Sequence, residues 1–121
     1  MRFAGVFGIV VGAAMIGQWV YALAVGRVPE LVQAPLAIGF HLAAEMLTAL
    51  ALLASGAALL KKLPWGRPLF LVAGGMALYS IIASPGYFAQ KGAWPMVAGF
   101  GILFVAALAA LMAAAFGPRP E

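Results

Sequence analysis

Residues 36–60, LAIGFHLAAEMLTALALLASGAALL, decide how this chain is read. The stretch holds two ionisable side chains, His41 and Glu45, in an otherwise apolar run. As a helix rising about 1.5 Å per residue it exceeds the roughly 30 Å of hydrocarbon in a bilayer. Pro35 opens it and Lys61-Lys62-Leu63-Pro64 stops it. Proline at a helix start and a break after its end are the expected punctuation of a helix.

Working outward, three further apolar segments appear. They run 3–25, closed by Gly26-Arg27-Val28-Pro29-Glu30; 69–83, ended by Ser84-Pro85-Gly86; and 96–116, opened by Trp94-Pro95 and ended by Gly117-Pro118. The third, at 69–83, is short for a membrane crossing. The whole chain of 121 residues is 66% hydrophobic and 8% charged, with mean hydropathy +1.10. Soluble domains average about 45–50% apolar and about 25% charged residues. A chain this small has too little interior to hide the surplus. Composition therefore predicts one all-α transmembrane domain over 1–121, an up-down-up-down four-helix bundle with the lipid bilayer as its first partner.

Segment 3–25 has a rival reading as a signal peptide, with Arg2 as its charged start and Ala22-Leu23-Ala24 as a cleavage pattern. Its apolar stretch is too long for that role. Trp19 and Tyr21 also fit the interfacial anchors of a true span.

The net charge of +4 comes from seven Lys+Arg against three Asp+Glu, and all of these but Glu45 are scattered at the ends of the apolar runs. That pattern orients a membrane protein and does not make a nucleic-acid surface. With four spans, Arg2, Lys61, Lys62, Arg67 and Arg119 share one side, and Arg27 and Lys91 share the other. The positive-inside bias places both termini and the middle loop in the cytoplasm, across the inner (plasma) membrane. Cysteine is absent, which excludes thiolate catalysis and Cys-ligated clusters.

Polar residues inside spans carry the functional information, because they are expensive in lipid. On the second span His41, Glu45, Thr48 and Ser55 fall on one narrow helical stripe. The first span adds Gln18, the third adds Tyr79 and Ser80, and the fourth adds nothing polar. With each midpoint at the bilayer centre, Glu45 lies about 5 Å outward of Thr48 and His41 about 10 Å outward. Gln18 lies about 6 Å outward of Ala14, and Tyr79 about 5 Å outward of Met76. One cluster shared by the first three spans is the expectation, with Glu45, His41, Thr48, Gln18, Tyr79 and Ser80 as a candidate ligand or proton site. Glu45 is its most expensive member. Burial disfavours a charged carboxyl, so Glu45 either keeps its proton or pairs with a protonated His41 one turn away. The same cluster also serves as a hydrogen-bonded clasp fixing helix register. One His and one carboxylate make half a metal or haem site, so neither a metal nor another cofactor is expected. The short third segment favours a site if residues 84–93 dip back as a lid, and simple bilayer thinning if they do not.

Small residues supply packing faces. Ala4, Gly8 and Gly12 repeat every four residues on the first span, and Ala106, Ala110 and Ala114 on the fourth. Such stripes let backbones approach closely, either within one chain or between copies.

Known motifs are missing. His41-Leu42-Ala43-Ala44-Glu45 is H-x-x-x-E, not the H-E-x-x-H of zinc proteases. Nothing marks Ser55, Ser80 or Ser84 as an activated nucleophile. The expectation is that the chain is not an enzyme and has no catalytic residues.

The runs GFHLAAEMLTALALLASGAALL (39–60) and WGRPLFLVAGGMALYSIIASPGYF (65–88) resemble small four-span prokaryotic membrane proteins, a likeness of pattern that implies no activity. Small multidrug-resistance transporters share the length, the four spans and one intramembrane glutamate. Theirs lies in the first helix, whereas Glu45 lies in the second. DoxX-like proteins share the size, with no residues that match. Two functions follow as expectations. The first is a self-associating structural or accessory bundle, partnered by another copy or a larger membrane protein. The second is an oligomeric small-solute or proton-linked transporter using Glu45 and His41.

The charge asymmetry yields a first prediction. Reporter fusions at Glu121 give signal only with a cytoplasmic reporter; a signal from a reporter that works only outside the membrane reverses the assigned orientation.

Overall fold

A computed structural model describes residues 2–117. Among these the chain is helical, with no strand. Its elements are α1 (Arg2–Ala24), α2 (Glu30–Gln33), α3 (Pro35–Leu60), α4 (Gly66–Ala83), α5 (Pro85–Gln90) and α6 (Trp94–Phe116). Proline stands in the first turn of α3, α5 and α6, where its missing N–H leaves no helix bond unmade. After α1 and α5 the chain reverses through Gly26 and Gly92, both at positive φ (70° and 71°). There Arg27 N–H bonds back to Ala22 O, and Ala93 N–H to Phe88 O. This closure satisfies carbonyls that the helix end leaves open.

Four stretches are long and apolar enough to cross a membrane: Arg2–Ala24, Pro35–Leu60, Gly66–Gln90 and Trp94–Phe116. The third corrects the expected short span. Ser84 keeps right-handed helical geometry (φ −66°, ψ −37°), and its N–H still bonds Ser80 O at 2.8 Å. Pro85 begins α5 at once, so α4 and α5 continue one another. The proline removes a donor but sits where the new helix needs none. Nor does the 84–93 segment fold back as a separate flap. Residues 85–90 are helical and lean on α6, with Phe88 stacked on Phe100 at 5.8 Å between ring centroids.

The long helices pack in chain order: α1 on α3, α3 on α4, α4 on α6, with a slighter contact from α6 back to α1. The tightest seam joins α1 to α3. A Cβ placed on Gly8 would lie 2.8 Å from Leu52 O, one on Gly12 2.8 Å from Ala49 O, and one on Gly56 2.7 Å from Gly5 O. Rising numbers on α1 thus meet falling numbers on α3. The stripe of Ala4, Gly8 and Gly12 is buried inside the chain's own packing. On α6 the buried small residues are Ala107, Ala110 and Ala114, with Ala106 half-buried. Leu111 of α6 closes over Gly74 of α4. Phe7, Leu52, Leu59 and Phe70 supply the large core side chains. At this end of the bundle an Arg67 Nη2–H donates to Gly117 O at 3.1 Å, placing a cation at the C-terminus of α6 where the helix dipole favours it.

The glycine seam yields a second prediction. Gly56→Ala and Gly8→Ala force two backbones apart and destabilise by about 1–3 kcal/mol, the usual cost of overpacking. Gly75, with nothing within 4 Å of a Cβ, accepts alanine with no loss. Thermal unfolding of the three variants in one detergent checks the ranking.

Candidate functional site

The polar residues of the spans gather toward the end of the bundle that carries α2 and α5. Glu45 is the centre of the group. It is 7% exposed, on the face of α3 that meets α4. The Ser80 hydroxyl of α4 donates to Glu45 Oε1 at 2.6 Å, a strong bond across the α3–α4 seam. His41 Nε2 lies 3.5 Å from the same Oε1, one turn back on α3. That contact is longer, and the His41 side chain is 49% exposed. Its ring meets Trp19 of α1 edge-on, with centroids 5.7 Å apart. Trp19, expected as an interfacial anchor, is thus also a neighbour of the site. Sequence spacing could not show this, because it arises from how α1 crosses α3.

Both polar contacts of Glu45 fall on Oε1. Its Oε2 has no hydrogen-bond partner among the described residues. Those residues also leave no fully buried side-chain N or O atom without a partner, so Oε2 keeps some open surface. Glu45 lines a cavity of about 310 Å³. Val10, Val11, Ala14, Met15, Gln18 and Trp19 of α1 form one wall. Ala77, Ser80 and Ile81 of α4, with Ser84, form another, and Phe100 and Leu103 of α6 a third. The short side chains Ala14, Ala77, Ser80 and Ser84 leave space open between α1 and α4, beside the contact of Gly12 with α3.

Of the six expected site residues, the cavity collects Glu45, Ser80 and Gln18, with His41 beside it through Glu45. Two stand apart. Tyr79 is 77% exposed and turned away, which corrects its place in the expected cluster. Neighbouring helix residues point about 100° apart, so the turn that aims Ser80 at Glu45 must aim Tyr79 elsewhere. Thr48 is buried, but its hydroxyl donates to Ala44 O of its own helix at 2.8 Å. Ser55, on the same stripe, likewise donates to Leu52 O. In a mid-helix environment these hydroxyls satisfy themselves locally. The cavity residues missed at the sequence level are Trp19, Ser84 and Phe100. Ser84 was legible as a polar residue at a break, but not as part of a wall.

Chemically, the cavity offers the polar groups of Glu45, Ser80, Gln18 and Ser84 beside an apolar trough. Among the described residues no group of three His, Cys, Asp or Glu comes together at a metal-holding spacing.

The clasp across α3 and α4 gives a third prediction. Glu45→Ala destabilises by about 1–3 kcal/mol, because Ser80 loses its acceptor. Glu45→Gln costs less, since the amide oxygen still accepts from Ser80. The double variant with Ser80→Ala shows coupling of about 0.5–3 kcal/mol. Denaturation in detergent measures all three. Equal losses for Gln and Ala would shift the weight from Ser80 to a protonated His41, left unpaired in both.

Comparison with known proteins gives a family. The model described as Domain of unknown function (DUF8058) matches residues 1–116, so the chain belongs to that family. No curated protein and no solved structure matches it.

Proposed function

We propose that this DUF8058 member is a multi-pass membrane protein that binds a small ligand at Glu45, in the half of the bilayer away from the cytoplasm. The single observation that carries the reading is the free Oε2 of a nine-tenths buried carboxyl beside a cavity of about 310 Å³. A clasp that only fixes register needs no cavity next to it. Small-ligand pockets run from about 300 Å³ upward, mostly apolar with a few placed polar groups. This one has the size of the smallest. An ionisable residue inside a span is itself the usual mark of a site.

The opposite half of the bundle is closed by the contacts of Gly5, Gly8 and Gly56 and by Leu52, Leu59 and Phe70. The resting arrangement is therefore a site with a floor and not a pore. Transport of the ligand or of a proton would need α1 and α6 to part. The alternative of a self-associating structural or accessory bundle draws less support, because Ala4, Gly8, Gly12, Ala110 and Ala114 are already buried within one chain.

The fourth prediction follows. Protein extracted in mild detergent and weighed intact by native mass spectrometry carries a small organic adduct. Ala14→Phe, which fills the cavity from its exposed rim, loses the adduct and unfolds at the midpoint of wild type stripped of its adduct. A bare mass for the wild type, identical in behaviour to the filled variant, overturns the binding reading.

A further inference from the structure

Resting on that binding reading, we propose that the Glu45 cavity is reached sideways from the lipid, between α1 and α6. Its ligand is a membrane-dissolved amphiphile with an apolar body and one hydrogen-bonding headgroup.

The headgroup follows from the polar lining. Glu45 and Ser80 meet the cavity as a hydrogen-bonded pair, and Gln18 and Ser84 line it as well. Carboxyl, amide and hydroxyl groups together supply both donors and acceptors, so a hydroxyl headgroup, which both donates and accepts, matches them. A purely apolar ligand leaves them unmatched.

The body follows from the remaining lining. Val10, Val11, Met15, Ile81, Phe100 and Leu103 make an apolar trough. Along α1 the lining runs from Val10 to Gln18, about 12 Å of helix. That is a slim slot parallel to the helices, matching a chain and not a compact polar solute.

The route follows from which residues are both lining and exposed. Val10 lines the cavity and is 59% exposed, and Ala14 and Gln18, one and two turns on, are exposed as well. Val10 and Ala14 lie well inside the span 2–24, so the surface they show at that depth is lipid surface. The facing helix is α6, and α1–α6 is the slightest of the four contacts that close the bundle. Toward the α5 end, Phe88 stacks on the lining residue Phe100, an apolar pair between the cavity and that end of the bundle.

Carbodiimides test this on the unmodified full-length protein: a protonated carboxyl adds across their C=N bond to give an O-acylisourea, which away from water rearranges by O-to-N acyl transfer to a stable N-acylurea. The protein is reconstituted in phosphatidylcholine vesicles and treated with lipid-soluble dicyclohexylcarbodiimide or with a water-soluble carbodiimide bearing a permanent charge, with glycine ethyl ester present to trap water-exposed O-acylisoureas as amides. Peptide mass spectrometry reads either label at Glu45, with Glu45→Gln as the blank and Glu30, outside the spans, as the check that the aqueous reagent is active. The lipid-soluble reagent labels Glu45 faster by about tenfold or more, since a fixed charge is excluded from an apolar route. Dissolved 1-decanol slows that labelling severalfold, and decane, the same body without a polar head, does not. Equal labelling by the aqueous reagent overturns access from lipid, and equal protection by decane overturns the polar headgroup. Either result leaves binding at Glu45 standing. No labelling by either reagent overturns this proposal and the binding reading together.

Discussion

The backbone contact between α1 and α3 sets the terms for everything else in the bundle. Helices surrounded by lipid gain no hydrophobic free energy by meeting each other, so they hold together through close packing and polar contacts. Gly8, Gly12 and Gly56 let the two main chains approach until a Cβ has no room. That approach fixes the rotation of α3, and with it the direction in which Glu45 points. Once Glu45 faces α4, Ser80 can reach it, and the α3–α4 seam gains its strongest polar bond. The register of three helices thus descends from a few missing methyl groups.

The same constraint explains why a cavity sits at one end only. Near Lys61 and Arg67, glycines draw α1 and α3 together, and Phe7, Leu59 and Phe70 fill the bundle. Toward α2 and α5 the facing residues are Ala14, Ala77, Ser80 and Ser84, too short to meet across the gap. Tight packing is needed once per helix pair to hold the fold. Where it has already been secured, space next to a buried carboxyl can be kept. A carboxyl with one oxygen bonded and the other open is restrained in direction yet available to a ligand.

A clasp and a site are not exclusive here. The Ser80–Glu45 bond holds α3 against α4 through Oε1, and the same residue lines the cavity. A ligand arriving at Oε2 would therefore act on a group that also supports the fold. This couples occupancy to the stability of the seam.

Much of this was legible in the residues alone. Four apolar runs bounded by Pro, Gly and Lys predicted four long helices, because hydropathy and punctuation are local properties. Glu45 and His41 stood out because charge in an apolar run is costly wherever it lies. The stripe of Ala4, Gly8 and Gly12 announced a close contact. Sequence could not say whether its partner was α3 of the same chain or another molecule, since spacing carries no information about what a face meets. The break expected at Ser84-Pro85 proved to be a continuation, because a proline that stops one helix is equally fit to start the next. Tyr79 and Ser80 looked equivalent by depth, and only the rotation of α4 against α3 chose Ser80. Thr48 shared a stripe with Glu45 but closed on its own helix. The pairing of Trp19 with His41, the free oxygen of Glu45 and the slight contact between α1 and α6 depend on how helices cross. Composition pointed to a membrane and set how far along each helix the polar groups lie; tertiary structure alone decided which of them face one another, because that is set by angles between helices that no single segment encodes.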